Sequence, residues 1–410
     1  MLHCTIASSW PRTPARNVAI AGTTGLLDGR GPDLPVAPCR CSPPVVTPLQ
    51  PPLNESLNAP LPSPLLYPHP DAPLPAQAIE VVEGVLWIRM PLPFALDHIN
   101  LWLLRDRIDG VDGWTLIDTG FGNPATRALW DEHFATTLQG LPLLRVIVTH
   151  YHPDHIGNAG WLLERVQGPK LAWMTQGEFA IAHLVLNEAV NSMKTFAPFF
   201  ARHGMPADAA SAQGARGNIY RIGVPDLPQQ YRRIVTGDNV RINGRDWRVI
   251  VGMGHAPEHA SLFCPSLNVL IAGDMLLPRI STNVSVGPIE PDGDPLAHFL
   301  AAISVYTRLP DDTLVLPSHG LPFIGIKPRV AALTEHHRAR LAELHAAAAA
   351  AEAVTAHDLL PVLFRRQLDV QQQFFAMGES IAHLNHLWHQ RRLERIVGDD
   401  GVIRFKSTQE

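Results

Sequence analysis

The sequence predicts an α/β fold whose strands end in reactive side chains, and two observations carry that reading. Short apolar runs at residues 146–148, 247–251, 269–272 and 313–316 have the length and β-branched or aliphatic content of buried strands. Each is followed within a few residues by His or Asp, and strand C-terminal ends are where α/β folds place their reactive groups.

The densest of these ends is His150-Tyr-His-Pro-Asp-His155, with three histidines and one aspartate close together. Neutral imidazole and carboxylate are the ligands that borderline divalent metals prefer. Four of them sit too near one another to serve one tetrahedral ion, so two ions sharing the segment is the better reading. A lone histidine is more often a surface or satisfied core residue, and this chain holds 20. The company of the cluster separates it from that background: His255 in Gly252-Met-Gly-His-Ala-Pro-Glu-His259, Asp274 after Val269-Leu-Ile-Ala-Gly273, and His319 in Ser318-His-Gly320. Glycines beside His255 let the backbone pass close to a bound ion.

The order HxHxDH, GH, GD, SHG resembles the metallo-β-lactamase superfamily. So do Trp114-Thr-Leu-Ile-Asp-Thr-Gly120 and the preceding Ile99-Asn-Leu-Trp-Leu-Leu104. The resemblance covers roughly residues 80 to 330 and implies a four-layer αβ/βα sandwich. It implies one divalent ion held by His150, His152 and His255, a second by Asp154, His155 and His319, and Asp274 between them. Zinc is the default, and iron or manganese suits the same donors. Such a pair lowers the pKa of a bridging water, giving a hydroxide that attacks a polarised carbonyl without a protein nucleophile. His150, His152 and Asp154 are then the side chains at the reacting centre.

Aspartate rather than cysteine at position 274, with His155 present, resembles the glyoxalase II-like branch, which acts on thioesters, lactones and other esters. His259 resembles the second histidine of that branch's GHxxGH motif, with Glu258 in place of the usual glycine. It is expected behind the ligands, as a hydrogen-bonding partner or simply packed. The implied activity is hydrolysis of a thioester or related ester of a small molecule. The alternatives are a lactonase, a sulfur dioxygenase with one iron on His150, His152 or His255 and Asp274, and, less favoured, a nuclease.

Composition bounds these readings. At 410 residues and 45.0 kDa the chain has room for two to three domains. A formal net charge of -5 argues against a nucleic-acid surface. No uncharged apolar run approaches the roughly 18 residues of a membrane span. The four cysteines, Cys4, Cys39, Cys41 and Cys264, form no metal pattern and read as incidental thiols in a reducing cytoplasm. A homodimer is compatible with this composition.

Residues 1–76 carry nearly half of the 38 prolines and are expected to be disordered. A targeting role there is disfavoured, because residues 17–27 are only weakly apolar. Residues 77–327 form the catalytic domain, with a helix over 156–166 and a short strand near Leu171. An insertion at 176–229 is read as a helical cap over the metal site: one helix over 176–204, then a loop-like stretch, 205–229, rich in Gly, Ala and Pro. An apolar cap favours an acyl or aromatic substrate. Arg279, Ser281 and Asn283 are candidates for orienting it.

Residues 328–410 read as helices over 328–351, 356–364 and 370–390, followed by a hairpin around Asp400-Gly401. That order resembles a small winged-helix domain. The third helix carries Glu379, His383, His386 and His389 rather than a basic stripe, so structural support or a wall of the substrate pocket is preferred over nucleic-acid binding.

Overall fold

The computed structural model describes residues 65–94, 96–187 and 193–408. Strands β1 (Ile79–Val82), β2 (Val85–Pro91), β3 (His98–Ile108), β4 (Val111–Ile117), β5 (Leu143–Ile147), β6 (Ala172–Met174) and β7 (Tyr231–Arg233) form one sheet in sequence order. The first three pairings, β1 to β4, are antiparallel and the next three, β4 to β7, are parallel. The second sheet runs β13-β12-β11-β10-β9-β8, built from β8 (Asn239–Ile242), β9 (Arg245–Gly252), β10 (His259–Cys264), β11 (Val269–Gly273), β12 (Leu314–Pro317) and β13 (Phe323–Ile324).

Helices α1 (Pro124–Ala135), α2 (Pro153–Ile156) and α3 (Ala159–Leu163) belong to the crossovers of the first sheet. The β6-to-β7 crossover holds the insertion: α4 (Gln176–Leu186), α5 (Met193–Arg202), α6 (Ala207–Gly214) and α7 (Tyr220–Gly223). Helix α8 (Pro295–Tyr306) links the parallel pair β11 and β12, and α9 (Ile326–Ala349) follows β13. The C-terminal unit adds α10 (Leu360–Leu363), α11 (Val370–His389) and the hairpin β14 (Leu393–Val397) and β15 (Ile403–Ser407).

Period-two alternation explains the layers. In β3, Trp102 and Leu104 turn into a core shared with Trp247, Val249, Ile271 and Leu316 of the other sheet. Its neighbours Leu101 and Leu103 turn the opposite way, onto Trp130 of α1 and Leu162 of α3. On the far sheet Leu270 and Val315 pack against Phe299 and Ile303 of α8 and Leu333 of α9. Each sheet thus buries both faces, giving the expected αβ/βα four-layer sandwich.

Several sequence expectations are corrected. The single helix over 176–204 is two helices: α4 stops at Asn187, whose side chain bonds back to the His183 carbonyl at 2.9 Å, and α5 begins at Met193. Asparagine competes with the helix for backbone partners, which suits a cap. The expected loop at 205–229 contains α6 and α7, because its alanines are the strongest helix formers once Pro206 has started a turn. Helix 156–166 is instead the pair α2 and α3, so Asp154 and His155 lie in a helical first turn. Of the segment 356–364, only Leu360–Leu363 is helical.

The expected disorder of residues 1–64 falls outside the described residues. Within the segment expected to be disordered, the described residues from 65 on are tied to the sandwich: Leu66 bridges Ile324 of β13 in both directions at 3.1 and 2.9 Å, and His69 bonds the Val81 carbonyl at 3.1 Å. Among the described residues, no helix is long and apolar enough to cross a membrane.

Candidate metal centre

Five strand ends converge. β4 delivers Asp118, β5 delivers Thr149 and His150, β9 leads to His255, β11 delivers Asp274, and β12 delivers Ser318 and His319. The two sheets are joined beside this point by Ala260 N–H to Thr149 O at 2.9 Å and Asn100 N–H to Ser318 O at 2.7 Å. Two close approaches require glycine. Gly273 has φ +54°, and a side chain there would meet His259 Nε2 at 2.3 Å; Gly254, at φ +110°, lies against Pro295 and Phe299.

All seven sequence-predicted ligands are brought together, in two groups: His150, His152, His255 with Asp274, and Asp154, His155, His319. Within each group the ligand atoms lie within 4.8 Å of one another. In the first, His150 Nε2 is 2.9 Å from His152 Nδ1 and 3.2 Å from His255 Nε2. Asp274 faces both groups. Its Oδ2 lies 3.3 Å from His255 Nε2, while Oδ1 lies 3.5 Å from His155 Nε2 and 3.4 Å from His319 Nε2.

The outer nitrogens fix how the inner ones point. His155 Nδ1 donates to Asp118 Oδ2 at 2.8 Å, His255 Nδ1 to the Asn283 carbonyl at 2.8 Å, and His319 Nδ1 to the His98 carbonyl at 2.8 Å. Thr149 gives its hydroxyl proton to Asp118 and accepts from His150 Nδ1 at 3.0 Å. Each ring's proton is thereby committed outward, and the Nε2 lone pairs of His150, His155, His255 and His319 face inward without one. His155 Nε2 and Asp274 Oδ1 are buried with no hydrogen-bond partner among the described residues. Converging lone pairs and an orphaned carboxylate oxygen suit divalent cations and little else, so the residues present fit the pair of metals.

The electrostatics agree. Burial, reinforced by surrounding imidazoles, holds His150 and His152 well below the usual histidine range, so both are neutral donors. Burial opposes charge on Asp274, yet His319 and His155 outweigh it and keep the carboxyl well below the usual range. Burial likewise opposes charge on His155, but Asp154, Asp274 and Asp118 raise it well above the usual value. The centre of the site therefore favours positive charge, which a bound cation supplies in place of a proton.

His259 is fully buried, and its Nε2 accepts the Asp274 backbone N–H at 3.1 Å, so it sits behind the ligands as a hydrogen-bond partner. Ser281 and Asn283 border the adjoining cavity, whereas Arg279 stacks over Tyr67 at 5.9 Å. His383 and His386 are committed elsewhere, to His337 at 3.2 Å and Asp294 at 3.0 Å.

Sequence reasoning missed Glu178. This buried carboxylate accepts Tyr151 N–H at 2.9 Å, between two ligands, and Glu258 N–H at 2.6 Å, beside the His255 loop. Glu258 reciprocates by accepting Gly177 N–H at 2.7 Å, and Thr175 bonds the Glu258 carbonyl at 2.8 Å. Burial pushes the Glu178 carboxyl up to about 7 despite those two backbone donors. Thr175-Gln-Gly-Glu178 has the spacing of a capping box, the one signal in the sequence. Here both side chains are diverted to tie α4 to the two histidine loops. Glu178→Ala leaves two buried N–H groups without acceptors, and chelator competition should show metal held about 10–100-fold more weakly, with Glu178→Gln intermediate.

A cavity of about 520 Å³ opens from His152, Asp154, His255, Asp274 and His319. Its wall is mostly apolar. Phe94 and Phe121 come from the sandwich, Val185, Phe196, Ile219 and Tyr220 from the insertion, and Phe364, Leu368 and Phe375 from the C-terminal unit.

Two family models match this chain. One, described as the metallo-beta-lactamase superfamily, matches residues 95–319; the other, a metallo-beta-lactamase-like C-terminal domain, matches residues 341–408. The chain belongs to the metallo-β-lactamase superfamily. It is similar to a crystal structure of a beta-lactamase domain protein from Burkholderia ambifaria, with 48% identity, TM-score 0.79, and coverage of 84% of this chain and 98% of that one. It is 25% identical to a probable metallo-hydrolase, YqjP, from Bacillus subtilis, over 74% of this chain and 92% of the relative. It is also 24% identical to a hydroxyacylglutathione hydrolase from Chromohalobacter salexigens, over 56% of this chain and 65% of the relative. The chain is thus a metallo-hydrolase of this superfamily.

Proposed function

We propose that the chain is a dinuclear metal-dependent hydrolase that cleaves a thioester or related ester of a small molecule. In this reading His150, His152 and His255 would hold one divalent ion and Asp154, His155 and His319 the other, with Asp274 facing both; zinc is the default. The observation that carries the reading is the division of Asp274, Oδ2 toward the first group and Oδ1 toward the second. A bound pair of such ions supplies an activated water and a Lewis acid for the carbonyl.

The chain's own residues do the rest. The outward hydrogen bonds of His155, His255 and His319 hold the rings in place before substrate arrives, so little reorganisation accompanies the reaction. Asp154 and His152 border the cavity where the scissile bond would lie. The apolar wall suits an acyl group, and the similarity to a hydroxyacylglutathione hydrolase supports a thioester. The C-terminal helices and hairpin, read as a winged-helix-like unit, act here as part of that wall.

The test is a panel of acyl-coenzyme A and acylglutathione thioesters, simple esters, lactones and RNA, run with metal content measured on the same preparation. Thiol release by the wild type and its loss in His150→Ala is the expected result. Lactone opening without thiol release makes the chain a lactonase, and one iron with oxygen uptake makes it a dioxygenase. No turnover of any substrate removes the enzyme reading.

A further inference from the structure

One carboxyl group reaches the apolar cavity from the C-terminal unit. Helix α11 begins at a capping box between Asp369 and Gln372. Gln372, Phe375, Ala376 and Glu379, three or four residues apart, all border the cavity and form one stripe of the helix. Glu379 is only 8% exposed, and its carboxylate makes no hydrogen bond or ion pair with any described residue. Arg340 acts on it through space, while the Arg340 Nη1 is engaged by Glu343 at 2.9 Å. His383, one turn further on, donates to the Glu379 backbone carbonyl at 2.8 Å and leaves the carboxylate alone.

A buried carboxyl without a partner is costly, and chains that keep one at a cavity wall commonly use it on a ligand. We propose that Glu379 is a specificity-determining residue that recognises a neutral hydrogen-bond donor, a hydroxyl or amide N–H, carried on the acyl group of the substrate. The proposal rests on the reading of the site as an ester or thioester hydrolase. Burial pushes the Glu379 carboxyl up to about 7, with Arg340 pulling the other way; ionised or neutral, it retains an oxygen that accepts. An ammonium group is a poorer occupant, since it would shed its water in an apolar wall within the field of Arg340. Helix α11 also docks on the loop that follows Asp274, where Val286 N–H bonds the Gly378 carbonyl at 3.0 Å. The Asn283 carbonyl of the same loop anchors His255, so chain recognition and metal site share one support.

The probes are an octanoyl thioester, derivatives with a hydroxyl near the carbonyl, at mid-chain or at the terminal carbon, and the terminal amine. With the metal-loaded full chain, one hydroxyl position should exceed plain octanoyl in kcat/KM by about tenfold to a hundredfold. Glu379→Leu should erase that advantage and improve the plain chain, while Glu379→Gln keeps part of it. The Leu variant should melt no lower than wild type, the reverse of losing a structural carboxyl. Calorimetric binding of the corresponding free acids is measured in parallel. If no thioester turns over, the hydrolase reading falls while the binding series still decides the role of Glu379. Equal handling of plain and hydroxylated chains, a preference that survives in Glu379→Leu, or preference for the amine would overturn the proposal.

Discussion

Replacing Asp274 with Ala is expected to lower kcat/KM on the best substrate of the panel about a thousandfold, with the protein still folded. The magnitude follows from the chemistry assigned to the site: loss of several kcal/mol of transition-state stabilisation, at about 1.4 kcal/mol per tenfold. Asp274 is the one side chain shared by both groups, so its removal affects both at once. It also leaves His255 without a carboxylate partner among the described residues, and the Nε2 atoms of His155 and His319 with Asp154 alone. Folding should survive, because the contact that places β11, the Asp274 backbone N–H on His259, is untouched by the substitution. Activity above a tenth of wild type would mean that the carboxylate does not bridge.

Asp106→Ala is expected to destabilise the fold by about 3–5 kcal/mol, read as a lower urea midpoint with an unchanged slope. Asp106 lies near the end of β3 opposite His98, with its carboxylate almost fully buried. Its Oδ2 accepts from Arg145 of β5 at 2.7 Å and from Thr115 at 2.6 Å. Its Oδ1 accepts the Asn243 N–H from the β8–β9 turn at 2.8 Å. The residue therefore latches one sheet to the other at the end remote from the metal centre. Removing it strands the Arg145 guanidinium, whose pKa burial already lowers against the pull of Asp106. Adding Arg145→Met should recover most of the loss, because an apolar pair replaces a stranded charge. A double variant no more stable than the single would show that the charge was not the cause.

The legible part of this chain was the part written in contiguous chemistry. The ligands at 150, 152, 154 and 155 stand together after a buried strand, and His255, Asp274 and His319 each follow an apolar run of strand length. Those signals are local, so strand ends and donor types sufficed to find all seven, while their division into two groups came from the family resemblance. The αβ/βα layering was implied by the family resemblance, and it is built from strands whose neighbours alternate between two cores, as Leu101 and Trp102 do.

What failed was the insertion, where no period dominates. The stretch 205–229 reads as loop because it is rich in Gly, Ala and Pro, although alanine itself favours helix, as at 207–214. Asn187 ended a helix that its apolar spacing would have continued. Glu178 was illegible for a different reason, and Glu379 was legible only as part of a helix read as support or pocket wall. A carboxylate in a helix reads as a solvated face, and only the packing of distant segments shows that one ties two histidine loops together and the other faces a cavity.

The central claim is that two ions share this site across Asp274, and counting tightly held divalent metal in single variants tests it most directly. Two equivalents per chain are predicted for the wild type. One should be lost in His152→Ala and the other in His319→Ala, with Asp274→Ala weakening both. A wild type that saturates at one equivalent, or a His319→Ala variant that still holds two, would contradict the account.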